Sequence, residues 1–304
     1  MPYIQAQGAK LYYEEAGSGD PIIFVHEFAD DLRGWELQMR YFSRSYRCIA
    51  YNARGFEPSE VPSDPALYSQ DIATDDIAAV LRGLDIEKAH IVGCSMGAFA
   101  ALHFGLRYPE MALSLVVAGC GYGAKKDGGD DFATEVAQFA ASFIEKGMVE
   151  VGTPYSLGPT RVQFQNKDPR GFAEFQERFL GHSAQGTGLT MGGVQAKRPS
   201  LYDLEAELRK LVVPTLLIVG DEEEPCLDTN LFLKRTIPSS GLLMIPRTGH
   251  AANLEEPALF NAAVAEFLTK VDHGSWGLRD PRSVSSSSLV AAPATPAAPA
   301  TADK

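Results

Sequence analysis

The 304-residue sequence is poor in several features. No apolar run reaches the roughly 20 residues that a bilayer requires, so no membrane-spanning helix is expected. Basic residues are outnumbered: 27 Lys and Arg against 39 Asp and Glu give a net charge of −12. Phosphate backbones and anionic membrane surfaces call for the opposite balance, so neither nucleic acid nor a membrane is expected as a partner. Cysteine is sparse too. Cys48, Cys94, Cys120 and Cys226 form no Cys-x-x-Cys pair, and three of them follow or lie within apolar runs. That pattern points to buried free thiols in a reducing compartment. The opening Met-Pro-Tyr-Ile-Gln-Ala lacks a basic stretch followed by an apolar one, so no secretory signal and a cytoplasmic location are expected. No His-Glu-x-x-His or other metal-ligand spacing occurs, and no internal repeat. No metal or other cofactor is expected. What remains is a chain long enough to bury one large core without staples.

Two kinds of segment alternate along it. Short apolar runs bounded by turn residues, at 21–26, 48–52, 90–94, 113–119, 215–220 and 242–246, read as buried parallel strands. Between them, residues 71–84, 95–108 and 257–271 carry apolar side chains near helical spacing. This rhythm implies an α/β fold: a mostly parallel sheet with helices on both faces. Residues 4–16 alternate instead and read as an antiparallel hairpin edge. The rhythm stops after Gly119 and resumes at Val212-Val213-Pro214-Thr215. Helical stretches at 131–146, 171–180 and 201–211 fill the gap. We therefore expect a core of residues 1–120 and 212–273 with an inserted helical cap at 121–211. The segment 274–304 is expected to be a disordered tail, because its Ser-, Pro- and Ala-rich part offers almost no burial against its ordering entropy.

The sharpest motif is Gly93-Cys94-Ser95-Met96-Gly97, between an expected strand and an expected helix. This is the setting of a nucleophile elbow, with Ser95 raised above the sheet edge. A serine hydroxyl needs a base. Of the six histidines, His250 follows the last strand, where an open sheet presents reactive groups. The base in turn needs an acid to orient it. Asp221-Glu222-Glu223-Glu224 follows the strand at 215–220 and lies between Ser95 and His250. Four adjacent acids leave the choice open.

Together these residues resemble the α/β-hydrolase superfamily, in its serine-nucleophile branch with a helical cap. The likeness runs from about residue 3 to 271. It rests on His26, Asn52-Ala53-Arg54-Gly55, the Ser95 elbow, Val219-Gly220 with its acid loop, and Gly249-His250 followed by Asn253-Leu254-Glu255-Glu256-Pro257. The resemblance favours Glu223 as the acid, three residues after the strand-ending glycine, with Asp221 as fallback. It implies oxyanion donors in the backbone N–H groups of Met96 and Phe28. It also implies a cap that roofs the pocket, with Phe132, Phe139, Phe143, Phe172, Phe175, Leu189 and Met191 supplying internal packing and some pocket lining.

Two positions depart from the usual pattern: Glu27 and Glu57 each stand where relatives have glycine. Glu27 is expected to be a surface residue turned away from the site, since a carboxylate facing a developing oxyanion opposes it. Arg54 and His26 are expected to be structural, and the Cys94 thiol to point into the sheet packing. The implied activity is hydrolysis of a small or medium apolar ester or lactone through an acyl-enzyme. Carbon–carbon bond hydrolysis, perhydrolysis and a small-molecule receptor role are the alternatives. Epoxide hydrolases and haloalkane dehalogenases fit less well, because they carry aspartate at the Ser95 position. The partner is a small molecule, and the assembly is a monomer or a dimer.

Overall fold

The computed structural model describes residues 2–124 and 130–284, without the side chains of residues 130–132. Eight strands form one sheet: β1 (Tyr3–Ala6), β2 (Ala9–Ala16), β3 (Pro21–Val25), β4 (Arg47–Tyr51), β5 (Ala89–Cys94), β6 (Ala112–Ala118), β7 (Thr215–Gly220) and β8 (Ser240–Ile245). Their spatial order is β1-β2-β4-β3-β5-β6-β7-β8. β1 and β2 pair antiparallel, as do β2 and β4. Every later pair is parallel. Each strand expected from an apolar run is present, and the N-terminal hairpin forms the edge.

The strands are apolar on both sides because both faces are covered. Ile23, Val25, Ile49, Ile91, Leu115, Val117 and Leu217 face one helical layer. Their chain neighbours Ile22, Phe24, Cys48, Val92, Val116, Leu216 and Ile218 face the other. This is the two-residue period of a strand read on both faces. The helices are α1 (Glu36–Phe42), α2 (Gln70–Gly83), α3 (Met96–Arg107), α4 (Asp130–Ser156), α5 (Val162–Lys167), α6 (Pro169–Leu180), α7 (Ala184–Thr190), α8 (Glu205–Leu208), α9 (Glu224–Thr236), α10 (Ala252–Glu255) and α11 (Pro257–Asp272). α2, α3 and α9 supply the first layer, and α1 and α11 the second. All four cysteines are buried free thiols. Among the described residues, no helix is long and apolar enough to cross a membrane.

Between β6 and β7 the described chain contains helices and no strand. The helix expected over 131–146 runs to Gly147, whose φ of 85° breaks it before a second segment continues to Ser156. The helix expected over 201–211 is reduced to α8. Its first residues are drawn elsewhere: Leu201 N–H donates to Ala124 O at 3.0 Å, and Tyr202 stacks on Phe232 at 4.2 Å. Tertiary contacts here override a helical pattern. The expected tail divides similarly. Trp276 packs edge-on against Phe267 and donates to Ser239 O at 2.7 Å. Residues 285–304 lie outside the described residues.

Candidate active site

The carboxyl ends of the parallel strands carry the site. Ser95 joins β5 to α3 with φ 53° and ψ −114°, a conformation costly for a residue with a side chain. Two hydrogen bonds hold it: Ser95 N–H donates to Ala118 O at 2.8 Å, and Phe99 N–H donates to Ser95 O at 3.0 Å. The glycines on either side are demanded by close approach. A Cβ on Gly93 would lie 2.1 Å from Gly97 O, and one on Gly97 would lie 2.1 Å from Val25 O. The hydroxyl thus sits half-buried at the positive end of α3.

The loops after β7 and β8 are packed together. Glu222 N–H donates to Thr248 O at 3.0 Å. Asp221 accepts from Thr248 N–H at 3.3 Å, so its carboxylate braces the loop away from the imidazole. Glu223, 1% exposed, hydrogen-bonds His250 Nδ1 through Oε1. Glu222 and Glu224 are exposed. His250 is further held by its neighbours: Glu255 accepts from Gly249 N–H at 2.7 Å and from Ala251 N–H at 3.1 Å. Its own N–H donates to Thr160 O at 3.1 Å, on the insertion. Cys226 also approaches this pair. One ligand atom from each of Glu223, Cys226 and His250 lies within 4.8 Å of the others. Burial and then the Glu223 charge push the Cys226 thiol well above its ordinary range. A protonated thiol and an imidazole nitrogen already bonded to a carboxylate make a poor metal donor set.

The turn after β3 supplies further donors. Among the described residues, the amides of Phe28 and Met96 donate to no other backbone group. His26 steadies this turn. Ala53 N–H donates to His26 Nε2 at 2.9 Å, so the proton is on Nδ1, which donates to Glu27 O at 2.6 Å. Burial lowers the His26 pKa to about 4, which keeps the ring neutral. Arg54 lies apart from the site, bonded to Asp76 at 2.7 and 2.8 Å and to Gln7 O at 3.0 Å. Cys94 packs among the sheet residues.

Glu27 departs from expectation. It is 5% exposed, not a surface residue, and its Oε2 lies 3.8 Å from His250 Nε2. The reason is Arg161, which comes from the insertion and clamps the carboxylate with both terminal nitrogens. Arg161 is itself 3% exposed and lies over the Phe175 ring at 4.9 Å. Burial alone raises the Glu27 pKa. The guanidinium of Arg161, with His250, outweighs it and holds the carboxyl below its ordinary value. The neighbouring acids are tied to the insertion as well: Asp30 to Arg178 at 3.0 Å and Asp31 to His182 at 3.3 Å. Sequence reasoning missed Arg161 because its partner is 134 residues away and no motif marks it.

Glu27→Ala is expected to destabilise the fold by about 3–5 kcal/mol, because Arg161 is left charged and buried without a partner. Denaturant unfolding of Glu27→Ala and of Glu27→Ala with Arg161→Met measures this. Recovery of most of the loss in the double variant is expected, and a double variant no better than the single one refutes the pairing argument.

Beside the Phe28 turn lies a cavity of about 400 Å³, lined by Tyr122, Val136, Phe139, Tyr155, Met191, Gln195 and Arg198, with Glu135. Tyr155 connects the two, its ring 5.8 Å from that of Phe28. Phe139 and Met191 line the cavity as expected. Phe143, Phe172 and Phe175 are buried in the apolar cluster that joins the insertion to the Phe28 turn, with Phe143 edge-on to Phe28 at 6.1 Å. The side chain of Phe132 lies outside the described ones.

Residues 20–257 match the family described as alpha/beta hydrolase fold. Epoxide hydrolase 3 of Mus musculus is 27% identical over 73% of this chain and 63% of its own length. The 2-hydroxymuconate semialdehyde hydrolase of Pseudomonas sp. strain CF600 is 27% identical over 88% of this chain and 94% of its own. A thermophilic esterase from Thermogutta terrifontis has a similar solved structure, with TM-score 0.78 and 26% identity over 88% of this chain and 98% of that one.

Proposed function

Because the chain belongs to the alpha/beta hydrolase fold family, we propose that it is a serine hydrolase of small or medium apolar esters or lactones. The observation that carries this reading is the buried Glu223–His250 pair on the same sheet edge as the strained Ser95 turn. In the proposed reaction Ser95 Oγ attacks the carbonyl carbon while His250 Nε2 takes its proton. The C=O π electrons move onto oxygen, where the Phe28 and Met96 amides receive the charge. Collapse breaks the bond to the leaving oxygen, which takes the proton from His250. Water then enters by the same steps and frees the acyl group.

Glu27 fits this scheme as half of a neutral unit. Its charge is compensated by Arg161, so the pair presents little net repulsion to a developing oxyanion. A second reading, hydrolysis of a carbon–carbon bond, is supported by the likeness to 2-hydroxymuconate semialdehyde hydrolase and uses the same residues. A serine at position 95 argues against the covalent aspartate chemistry of epoxide hydrolases, despite the likeness to one of them.

Fluorophosphonate labelling with mass mapping tests the proposal. One adduct at Ser95, absent from Ser95→Ala, is expected. A folded protein that takes no label, or takes it at another residue, overturns the reading.

A further inference from the structure

Among the described residues, the buried or partly buried arginines other than Arg198 come with carboxylates. Arg54 has Asp76, Arg161 has Glu27 and Arg178 has Asp30. Arg198 differs. It is 4% exposed, and among the described residues no carboxylate pairs with it. Its guanidinium donates to Tyr122 O and lies 3.6 Å over the Phe99 ring, while Nε is buried without a partner. An isolated buried cation is costly unless something compensates it. Burial pushes its pKa down to about 10, so the group is still charged at neutral pH.

Arg198 lines the cavity of about 400 Å³. The cavity is near the lower end of small-molecule pockets, and Tyr155, Met191, Phe139 and Val136 make most of its wall apolar. Gln195 adds one further polar group, and Glu135 lies on an exposed part of the rim. Phe99, beneath Arg198, is one turn along α3 from Ser95. That separation is about 5–6 Å along the helix axis.

We propose that Arg198 is the anchor for a carboxylate on the substrate, so that the preferred substrate is an ester or lactone with a carboxylate at its far end. The inference rests on the hydrolase reading for the scissile bond, but not for binding. A planar guanidinium matches a carboxylate, and the apolar walls take the spacer.

The test separates binding from turnover by using the Ser95→Ala protein in calorimetry. Its ligands are monomethyl glutarate and the neutral isostere methyl 5-methylhexanoate. The anion is expected to bind about 10-fold or more tightly, the effect of a charge-assisted hydrogen bond. Arg198→Met in the same background is expected to abolish that preference, and Arg198→Lys to retain part of it. Equal affinities in the protein with Arg198 intact overturn the proposal, whether or not the variants fold. So does an equal loss for both ligands in a folded Arg198→Met protein, which marks a purely structural role. Failure of the folded native protein to take the fluorophosphonate label at Ser95, with the binding preference intact, rejects the hydrolase reading and leaves the anion site standing.

Discussion

Ser95→Ala is expected to lower kcat by about 10⁶-fold on any ester the enzyme accepts, with its melting temperature within a few degrees of native. A loss of that size follows because nucleophile and base act as a unit, and removing one idles the other. The fold is expected to survive because alanine removes only an oxygen from a half-buried position. Alanine retains the cost of the positive φ, so no large gain in stability arises from relaxed backbone. Ester turnover measured against an inert-protein background, with thermal unfolding alongside, decides the matter. Residual activity within about 100-fold of native shows that Ser95 is not the nucleophile.

The second large effect is expected at Glu223. Glu223→Gln preserves size and burial but replaces an acceptor with a group that can donate to His250 Nδ1. The imidazole is then held in the wrong tautomer, and kcat is expected to fall by up to about 10⁴-fold. Asp221→Asn is the control. Asp221 accepts a single long hydrogen bond from Thr248 N–H, at 3.3 Å, and a loss below about 10-fold is expected. If Asp221→Asn costs more than Glu223→Gln, the acid is misassigned and the two loops rearrange in the working enzyme. The contrast is sharp because the two residues are two positions apart on one loop, with equal charge and different partners.

Much of the architecture was readable because its signals are local. A buried parallel strand is a short apolar run, and the run at 215–220 is β7 without adjustment. The glycines at 93 and 97 are dictated by atoms only a strand away, so the elbow carries its own spacing. His250 could be singled out because one loop after one strand held it. Which carboxylate meets His250 was not legible in its neighbourhood. Four adjacent carboxylates are chemically alike, and burial of Glu223 against His250 separates them. The helix expected at 201–211 shows the opposite case, where a hydrogen bond to Ala124 and a ring stack on Phe232 outweigh a local pattern.

Local signals alone account for the sheet, the covering helices, the serine turn and the loops that carry Glu223 and His250. Each depends on periodicity, glycine spacing or chain order within some tens of residues. The contacts of the insertion emerge only once the chain is folded. The insertion carries Arg161 to Glu27, Arg178 to Asp30 and His182 to Asp31, and among the described residues it brings no carboxylate to Arg198 beside the cavity. A buried charge is defined by the groups that surround it, and here those groups come from segments up to about 150 residues apart. No local pattern encodes such a pairing, so Glu27 reads as a surface residue until the insertion folds over it.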